Sequence, residues 1–395
     1  MTEQTVTRPS TTGAIDIAPG FTVVAIGTKK GLWLASSPDR SEWKLSGPFF
    51  GTLEVPSVAI DTREGRTRIL VGINDWHFGP TVVHSDDGGA HFSETSFGAV
   101  VFPKETGTSL ERVWTITPDT ADRPGVVWAG CEPISVFKST DSGETFQLVQ
   151  GLWDHPHREK WGAGFGGPAA HTIVPSKQDD STVHIAMSTG GVYRTTDGGT
   201  SWEATNKGIR ADFQPEDEYP EFGQCVHRIS ADAEDPATLY LQNHGGVYRT
   251  RDNANTWELI ENGLPSNFGF SVLTHPTQGG TAWVIPVSNG DDRFFPAGKC
   301  SVYKTTDGGD TWQEQHQGLP ELDYNVSLRD AEGVDHHPES LGIYFGTRGG
   351  EVWASANEGE SFERIAHRLP DVLSVRAAYI PSEAAASSSG NLRNL

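Results

Sequence analysis

Short apolar runs that alternate with polar residues recur along the whole chain. Three copies of one such run are Val192-Tyr193-Arg194, Val247-Tyr248-Arg249 and Val302-Tyr303-Lys304, and each stands directly before a turn-forming sequence. A period of two is typical of a strand that is buried on one face only. The 45 Gly and 24 Pro among 395 residues indicate many turns. The pattern therefore predicts an all-β protein of many short strands.

The turn sequence itself occurs seven times. It reads Ser or Thr, any residue, Asp, any residue, Gly, two residues and then Trp or Phe, and its copies begin at residues 36, 85, 139, 195, 250, 305 and 355. In such a turn the Asp carboxylate accepts backbone N–H groups and the Gly takes up a positive φ. Four copies are intact, whereas Ala254 replaces Gly in one, and Asn357 and Pro38 replace Asp in two others. The role predicted for these residues is structural.

This repeat resembles the Asp-box, or bacterial neuraminidase repeat, of the sialidase-like β-propeller superfamily, and the resemblance covers about residues 21–380. It implies a seven-bladed β-propeller in which the Asp-box joins the third strand of each blade to the fourth. Six innermost strands are predicted within the chain, at 55–60, 112–116, 170–174, 226–230, 270–275 and 325–328. The seventh is predicted at 373–380, so that the C-terminal strand joins the first blade and closes the ring.

Composition bounds the organisation and the partners. We expect a flexible N-terminal segment over 1–20, one propeller over 21–380 and a disordered tail over 381–395. Acidic residues outnumber basic ones by 52 to 30, for a net charge of −22, which disfavours nucleic-acid and membrane partners. The three cysteines (131, 225 and 300) form no disulfide or zinc pattern. No signal peptide or membrane span is recognised, so a cytoplasmic location is expected.

The site is expected in the funnel at one end of the channel, on the face that carries the longest loops. The innermost strands begin at this face, so their first side chains converge with the loops between the second and third strands. Histidines suit acid–base catalysis near neutral pH, and arginines can hold a carboxylate or an oxyanion. The predicted catalytic residues are His171, His227, Glu132 and Arg112, and the predicted ligand-binding residues are His77, His244, Arg348, Trp114, Lys30 and Asp75.

A metal-dependent variant of this site stays open. Three histidines and one carboxylate can hold a divalent ion, and the candidate ligands are His77, His171, His227 and His244, with Glu132 as the carboxylate. Their spacing along the chain is not local, so the sequence does not decide whether they meet. The cofactor prediction is therefore either none or a divalent metal ion.

The predicted function is an enzyme that acts on a small polar molecule, glycosidic or carboxylate-bearing, by hydrolysis or elimination. The superfamily resemblance implies glycoside hydrolases and polysaccharide lyases among the relatives. A typical sialidase is not expected, because no Arg-Ile-Pro sequence occurs and the first blades offer no matching arginine. The alternative is a non-enzymatic ligand-binding or assembly scaffold, with a protein partner on an aromatic patch formed by Trp153, Trp161, Phe165 and Phe213.

Overall fold

The computed structural model describes residues 13–94, 98–164, 166–212 and 218–381, and it is an all-β, seven-bladed β-propeller. Among the described residues, six blades are four-stranded antiparallel sheets and the second blade has three strands. Neighbouring strands of a blade also follow one another along the chain, except where the ring closes and in the sixth blade, where a strand of a separate pair intervenes. None of the helices described is long and apolar enough to cross a membrane. The predicted fold class is confirmed.

The strands are numbered here by blade, in chain order. The first blade contains β1 (Thr22–Thr28), β2 (Gly31–Ser37) and β3 (Lys44–Phe49), and the second contains β4 (Glu54–Asp61), β5 (Arg68–Asp75) and β6 (Gly79–Ser85). The third contains β7 (Arg112–Pro118), β8 (Val127–Glu132), β9 (Ser135–Ser139) and β10 (Gln147–Leu148), followed by the short helix α1 (Gln150–Trp153). The fourth contains β11 (Ala170–Pro175), β12 (Val183–Met187), β13 (Gly191–Thr195) and β14 (Glu203–Ala204).

The remaining blades follow the same order. The fifth contains β15 (Val226–Ala231), β16 (Leu239–Asn243), β17 (Gly246–Thr250) and β18 (Glu258–Leu259). A separate pair, β19 (Phe268–Gly269) and β22 (Pro286–Val287), accompanies the sixth blade of β20 (Leu273–Thr274), β21 (Ala282–Val284), β23 (Val302–Thr305) and β24 (Gln313–Gln315). The seventh contains β25 (Glu332–Val334), β26 (Ile343–Gly346), β27 (Val352–Ser355) and β28 (Glu363–Ala366), and the last strand is β29 (Val372–Tyr379). Single 3-10 turns lie at Arg63–Gly65, Lys104–Thr106, Arg158–Lys160 and Pro296–Gly298.

The ring is closed by β29, which pairs antiparallel with β1 in the first blade. Val24 lies opposite Ala377, and Ile26 lies opposite Val375. The strand order of this blade is β29-β1-β2-β3, so its innermost strand comes from the far end of the chain. The pairing covers the edge that β1 would otherwise expose. The predicted closure by the C-terminal strand is confirmed.

Residues 13–20, which the sequence analysis placed in a flexible segment, lie against the propeller. The N–H group of Ile15 donates to the carbonyl of Gly88 at 2.9 Å. The Ile15 side chain is buried and packs in an apolar cluster with Leu34 and Val83. Residues 1–12 and 382–395 lie outside the described residues, so flexibility and disorder there stay predictions.

Neighbouring blades approach closely at glycines in their second strands. A Cβ placed on Gly130 of β8 would lie 2.3 Å from the carbonyl oxygen of Ala170 in the next blade. A Cβ on Gly346 of β26 would lie 2.3 Å from a methyl carbon of Val372 in β29. A side chain at either position would force the two blades apart.

The repeated turn forms the hydrogen bonds that its residue types predict. In the copy that begins at Thr195, the Asp197 carboxylate accepts the N–H group of Ser201 at 2.9 Å and its hydroxyl at 2.6 Å. The Thr195 hydroxyl donates to Asp197 and accepts the N–H group of Gly199 at 2.9 Å. Gly199 has a φ of +98°. Bonding to Ser201 first, and then to Thr195, lowers the pKa of Asp197 to about 2.

Two altered copies form the same turn. The side-chain oxygen of Asn357 accepts the N–H group of Ser361 at 3.0 Å, so an amide replaces the carboxylate. In the first copy the turn begins at Ser37, one residue later than predicted, because the proline at the expected Asp position has no carboxylate. Asp39 takes over and accepts the N–H group of Ser41 at 2.9 Å and the hydroxyl of Ser37 at 3.1 Å.

One innermost strand lies elsewhere than predicted. In the seventh blade it is β25, and the prediction of residues 325–328 was wrong. The Asn325 side-chain oxygen accepts the N–H groups of Val326 and Gly349, both at 2.9 Å, which holds this segment in an irregular loop. Val326 is buried and Leu328 is half-buried, so this loop resembles a strand in its sequence pattern.

Candidate functional site

A cavity of about 810 Å³ opens at the end of the channel where the innermost strands begin. Every blade contributes to its wall, through strand starts or through loops between second and third strands. It is lined by Lys29, Glu54, Pro56, Arg112, Trp114, Ala163, Gly164, Gly166, Ser188, Thr189, Cys225, His227, His244, Phe270, Gly290, Asp291, Arg293, Leu328, Arg329, Asp330 and Leu373. This is the face on which the sequence analysis expected the site.

Arg329 is held between two aromatic rings of the cavity wall. Its guanidinium carbon lies 5.3 Å from the ring centre of Trp114 and 5.4 Å from that of Phe270. Within the described ranges, its Nε makes no hydrogen bond and no carboxylate oxygen lies within 4.0 Å of the guanidinium. Burial lowers the pKa of Arg329 from its usual value. The cavity thus contains a guanidinium that forms no ion pair within 4.0 Å with a described acidic side chain, although the charge of Asp330 acts against the fall in its pKa.

The predicted residues Arg112, Trp114 and Glu132 do meet. The indole N–H of Trp114 donates to Glu132 at 2.8 Å, and the Arg112 guanidinium lies 5.2 Å from the Trp114 ring centre. Arg112 also pairs with Glu54 of the second blade at 3.1 Å. The β7–β8 register, which sets Arg112 opposite Glu132, brings these groups to the same end of the blade. Glu54, Arg112 and Trp114 line the cavity, whereas Glu132 is not among the lining residues and meets them through the Trp114 indole.

His227 and His244, both predicted, stand beside Cys225 on another part of the wall. The Nδ1 of His227 donates to the carbonyl of Gly269 at 2.6 Å, which leaves Nε2 with a lone pair, 3.6 Å from the Cys225 sulfur. The ligand atoms of Cys225, His227 and His244 all lie within 4.8 Å of one another. Burial lowers the pKa of both histidines, that of His227 well below its usual value. Both imidazoles are therefore neutral at pH 7.

His171 is not among the residues that line the cavity. It is 1% exposed, and neither of its ring nitrogens makes a hydrogen bond of ordinary geometry within the described part of the chain. Burial, with the positive charge of Arg329 as a second cause, lowers its pKa well below the usual value. His171 is therefore a buried, neutral side chain that packs behind the residues of the cavity wall.

Four predicted ligand-binding residues lie outside the cavity. Asp75 accepts the N–H group of His77 at 2.7 Å in the β5–β6 turn, which borders a separate groove of about 510 Å³. Lys30 is exposed, and its neighbour Lys29 lines the cavity instead. Arg348 pairs with Asp371 at 2.8 Å. The alternative metal set is not assembled either, because neither His77 nor His171 belongs to the cluster around Cys225.

The two tryptophans of the aromatic patch predicted for a scaffold are not exposed. Trp153 and Trp161 are 7% and 8% exposed, because both pack into the core beside the third and fourth blades. Phe165 and Phe213 lie outside the described residues. The prediction was wrong for the two tryptophans. Elsewhere on the surface, Trp76 is 82% exposed and Phe78, two residues further along the chain, is 58% exposed.

An ion-pair network centred on Asp330, at the cavity wall, was missed by the sequence reasoning. Asp330 pairs with Arg228 at 3.0 Å and with Arg376. Glu332 is fully buried, with a carboxylate oxygen 3.7 Å from Arg228 Nε. Burial raises the pKa of Glu332 to about 7, against the opposing effect of the two arginines. Arg329 and this network were missed because the innermost strand of the seventh blade was placed too early. The charged pair at 329–330, one residue before β25, was the available signal.

No protein-family model matches the chain. Among curated proteins, the chain is 24% identical over 260 residues to an oligoxyloglucan-reducing end-specific xyloglucanase of Emericella nidulans, covering 59% of the chain and 30% of that protein. It is also 24% identical over 267 residues to the xyloglucanase Xgh74A of Acetivibrio thermocellus, covering 58% and 30%. The chain thus spans about a third of the length of the curated relatives it matches. Both relatives are glycoside hydrolases.

Two solved structures share the fold. YCF48 from Cyanidioschyzon merolae superposes with a TM-score of 0.51 at 12% identity, over 80% of the chain and 86% of that protein. A candidate 6-phosphogluconolactonase from Bacteroides fragilis superposes with a TM-score of 0.51 at 9% identity, over 92% and 99%. At these identities the likeness concerns the fold alone.

Proposed function

We propose that this chain is a propeller enzyme that binds a small saccharide-like molecule carrying a carboxylate in the channel cavity and cleaves it by hydrolysis or elimination. The observation that carries the proposal is Arg329, a guanidinium at the cavity with no carboxylate oxygen within 4.0 Å in the described ranges. An arginine in this state is stabilised by an anion that it can bind bidentately. The net charge of the whole chain is −22, so the positive charge of Arg329 is a local feature of the cavity. This local charge favours an anionic ligand.

The rest of the cavity suits a sugar ring. Trp114 and Phe270 add aromatic surface to the wall, and Arg329, packed between their rings, provides one charged position for the carboxylate. Asp291 and Glu54, which also line the cavity, add hydrogen-bond acceptors for hydroxyl groups. A pocket with aromatic walls and a few convergent polar groups is typical of small-molecule sites.

We assign the chemistry to two carboxylates: Glu54, which lines the cavity, and Glu132, which is hydrogen-bonded to the lining residue Trp114. Cleavage of a glycosidic bond commonly uses one carboxyl group as acid and a second as base or nucleophile. Glu132 is oriented by the indole of Trp114, and Glu54 by the guanidinium of Arg112. The neutral Nε2 of His227 lines the same cavity and is a further ligand contact.

The two xyloglucanase relatives support a saccharide as the ligand class. The seven turns support the finer proposal that the chain is a divergent Asp-box propeller of the sialidase-like superfamily. The relatives thus bear on the ligand class, and the turns bear on the scaffold. The choice of an anionic saccharide comes from Arg329.

Ligand binding tests the proposal directly. We expect a uronic-acid disaccharide to bind more tightly than a neutral disaccharide of the same size, as measured by titration calorimetry. Arg329→Gln should weaken the uronic-acid complex ~10–100-fold, since a charge-assisted hydrogen bond contributes ~1.5–3 kcal/mol. Arg364→Gln is the matched control, because Arg364 on the outer strand β28 also places a guanidinium over an aromatic ring, that of Trp353, but does not line the cavity. This variant should bind both disaccharides as the wild type does. Equal binding of both disaccharides, or no binding, would contradict the proposal.

Turnover separates an enzyme from a binding protein. Hydrolysis would release reducing ends, whereas elimination would create an unsaturated product that absorbs in the ultraviolet. Glu132→Gln should abolish either signal while it leaves the Kd of the disaccharide within a few-fold. A protein that binds uronic-acid saccharides but cleaves none of them would refute the enzymatic part alone.

A protein-binding scaffold is the second candidate. The observation that favours it is the exposed pair Trp76 and Phe78 on the β5–β6 turn. If this candidate holds, Trp76→Ser should abolish a protein complex recovered with the wild-type chain, whereas Arg329→Gln should leave the complex unchanged.

A further inference from the structure

We propose that Cys225, His227 and His244 form a zinc site on the wall of the channel cavity, with the fourth coordination position open to the cavity. These three side chains offer one sulfur and two nitrogen ligand atoms, all within 4.8 Å of one another. One thiolate and two imidazoles form a donor set that zinc prefers. The inference rests on this geometry and does not require the proposed reaction.

The distance between the first two ligand atoms matches a tetrahedral ion. A zinc ion that holds a thiolate at ~2.3 Å and an imidazole at ~2.0–2.1 Å, with a tetrahedral angle between them, separates the two ligand atoms by ~3.5 Å. The Cys225 sulfur and the Nε2 of His227 are 3.6 Å apart. The ion therefore fits between them without a change in the position of either element.

The surroundings orient both imidazoles. The carbonyl of Gly269 accepts the Nδ1 proton of His227, so that the lone pair of Nε2 points towards the sulfur. Backbone carbonyls commonly fix metal-binding histidines in this way. The His244 ring packs on Phe268, with ring centres 4.8 Å apart. Gly290 lies so close to this ring that a Cβ there would be 2.9 Å from His244 Nε2.

The open position faces the cations of the cavity. All three ligand residues line the cavity together with Arg329 and Arg293. Burial raises the pKa of the Cys225 thiol, while the positive charges of Arg329 and Arg293 act against that rise. A bound zinc ion would deprotonate the thiol. An anionic group held by the arginines could then occupy the fourth position, which makes zinc and a carboxylate-bearing ligand compatible in one cavity.

Metal analysis tests the inference. Full-length protein purified without a histidine tag should contain about one equivalent of zinc by plasma mass spectrometry, the content of one such site. Cys225→Ser and His227→Ala should each lower it below about a tenth of an equivalent, because the loss of one of three protein ligands weakens binding severely. Cys300→Ser, at a buried thiol in another blade, is the matched control and should retain the metal.

A second measurement keeps the test valid if a variant folds poorly. After chelation, the wild-type protein should bind added Co²⁺ with a thiolate-to-cobalt charge-transfer band, and added Zn²⁺ should displace the Co²⁺ and raise the melting temperature. Cys225→Ser should lack the band. The inference is overturned if the wild-type protein shows neither zinc nor the band, or if copper alone is found. Should disaccharide binding through Arg329 persist in that case, the proposed function stands and only the zinc site is lost.

Discussion

Glu332 couples the stability of the propeller to pH. Its carboxyl group is fully buried at the start of β25, close to Arg228, and burial raises its pKa from 4.5 to about 7. In the unfolded chain the same group ionises near its ordinary pKa of ~4.3. The substitution that isolates this effect is Glu332→Gln, which keeps the shape of the side chain and removes its titration.

The magnitude follows from the difference between the two pKa values. Between pH ~4.3 and ~7 the folded protein keeps a proton that the unfolded chain has lost, so the free energy of unfolding falls as pH rises through this window. A shift from 4.5 to about 7, at ~1.4 kcal/mol per pKa unit, corresponds to ~3 kcal/mol. This contribution is fully present below pH ~4.3 and is lost above pH ~7.

Denaturant titrations measure the effect. The free energy of unfolding of the wild-type protein and of Glu332→Gln should be determined at pH values from ~4.5 to ~8 at constant ionic strength. The difference, variant minus wild type, should increase by ~3 kcal/mol from the acidic to the basic end. Glu363→Gln, at an exposed carboxylate on β28, serves as the control and should show a constant difference.

Two outcomes refute this reasoning. A difference that does not depend on pH means that Glu332 has the same pKa in the folded and unfolded chains. A difference that decreases with pH means that Arg228 and Arg376 hold the carboxylate ionised, and that their attraction exceeds the cost of burial.

Two further predictions concern the scaffold. Hydrogen bonds from Thr311 lower the pKa of Asp307 to about 2. The ionised carboxylate therefore stabilises the folded protein above pH ~3.9, and this stabilisation is lost as pH falls through ~2. Asp307→Asn removes the titrating group, so the melting temperature of the variant should decline less in acid than that of the wild type. An equal decline of the melting temperature in the variant and in the wild type would contradict this prediction. Gly130→Ala should lower the free energy of unfolding by ~1–3 kcal/mol because its Cβ would meet Ala170. Gly51→Ala, where the nearest atom is 3.4 Å away, is the control; equal losses would refute the close-packing argument.

The number of blades and the closure of the ring could be predicted from the amino-acid sequence. Each turn is formed by side chains and backbone within a few residues, as in the bonds between Thr195, Asp197 and Ser201, so seven copies report seven blades. Seven turns were found but only six innermost strands before residue 373, so the C-terminal strand β29 was needed to complete the first blade. Local chemistry and a simple count were sufficient for both conclusions.

The composition of the cavity was decided by the tertiary structure. Arg112, Trp114 and Glu132 could be grouped in advance because β7 and β8 are adjacent in one blade. Cys225 and Arg329 come from different blades, and their approach to one cavity depends on where each innermost strand begins. A shift of a few residues, as in the seventh blade, exchanges the side chains that reach the channel. Long-range geometry of this kind leaves no periodic signal. Cys225 as a candidate zinc ligand, and Arg329 with no described carboxylate oxygen within 4.0 Å, therefore emerged only from the folded ring.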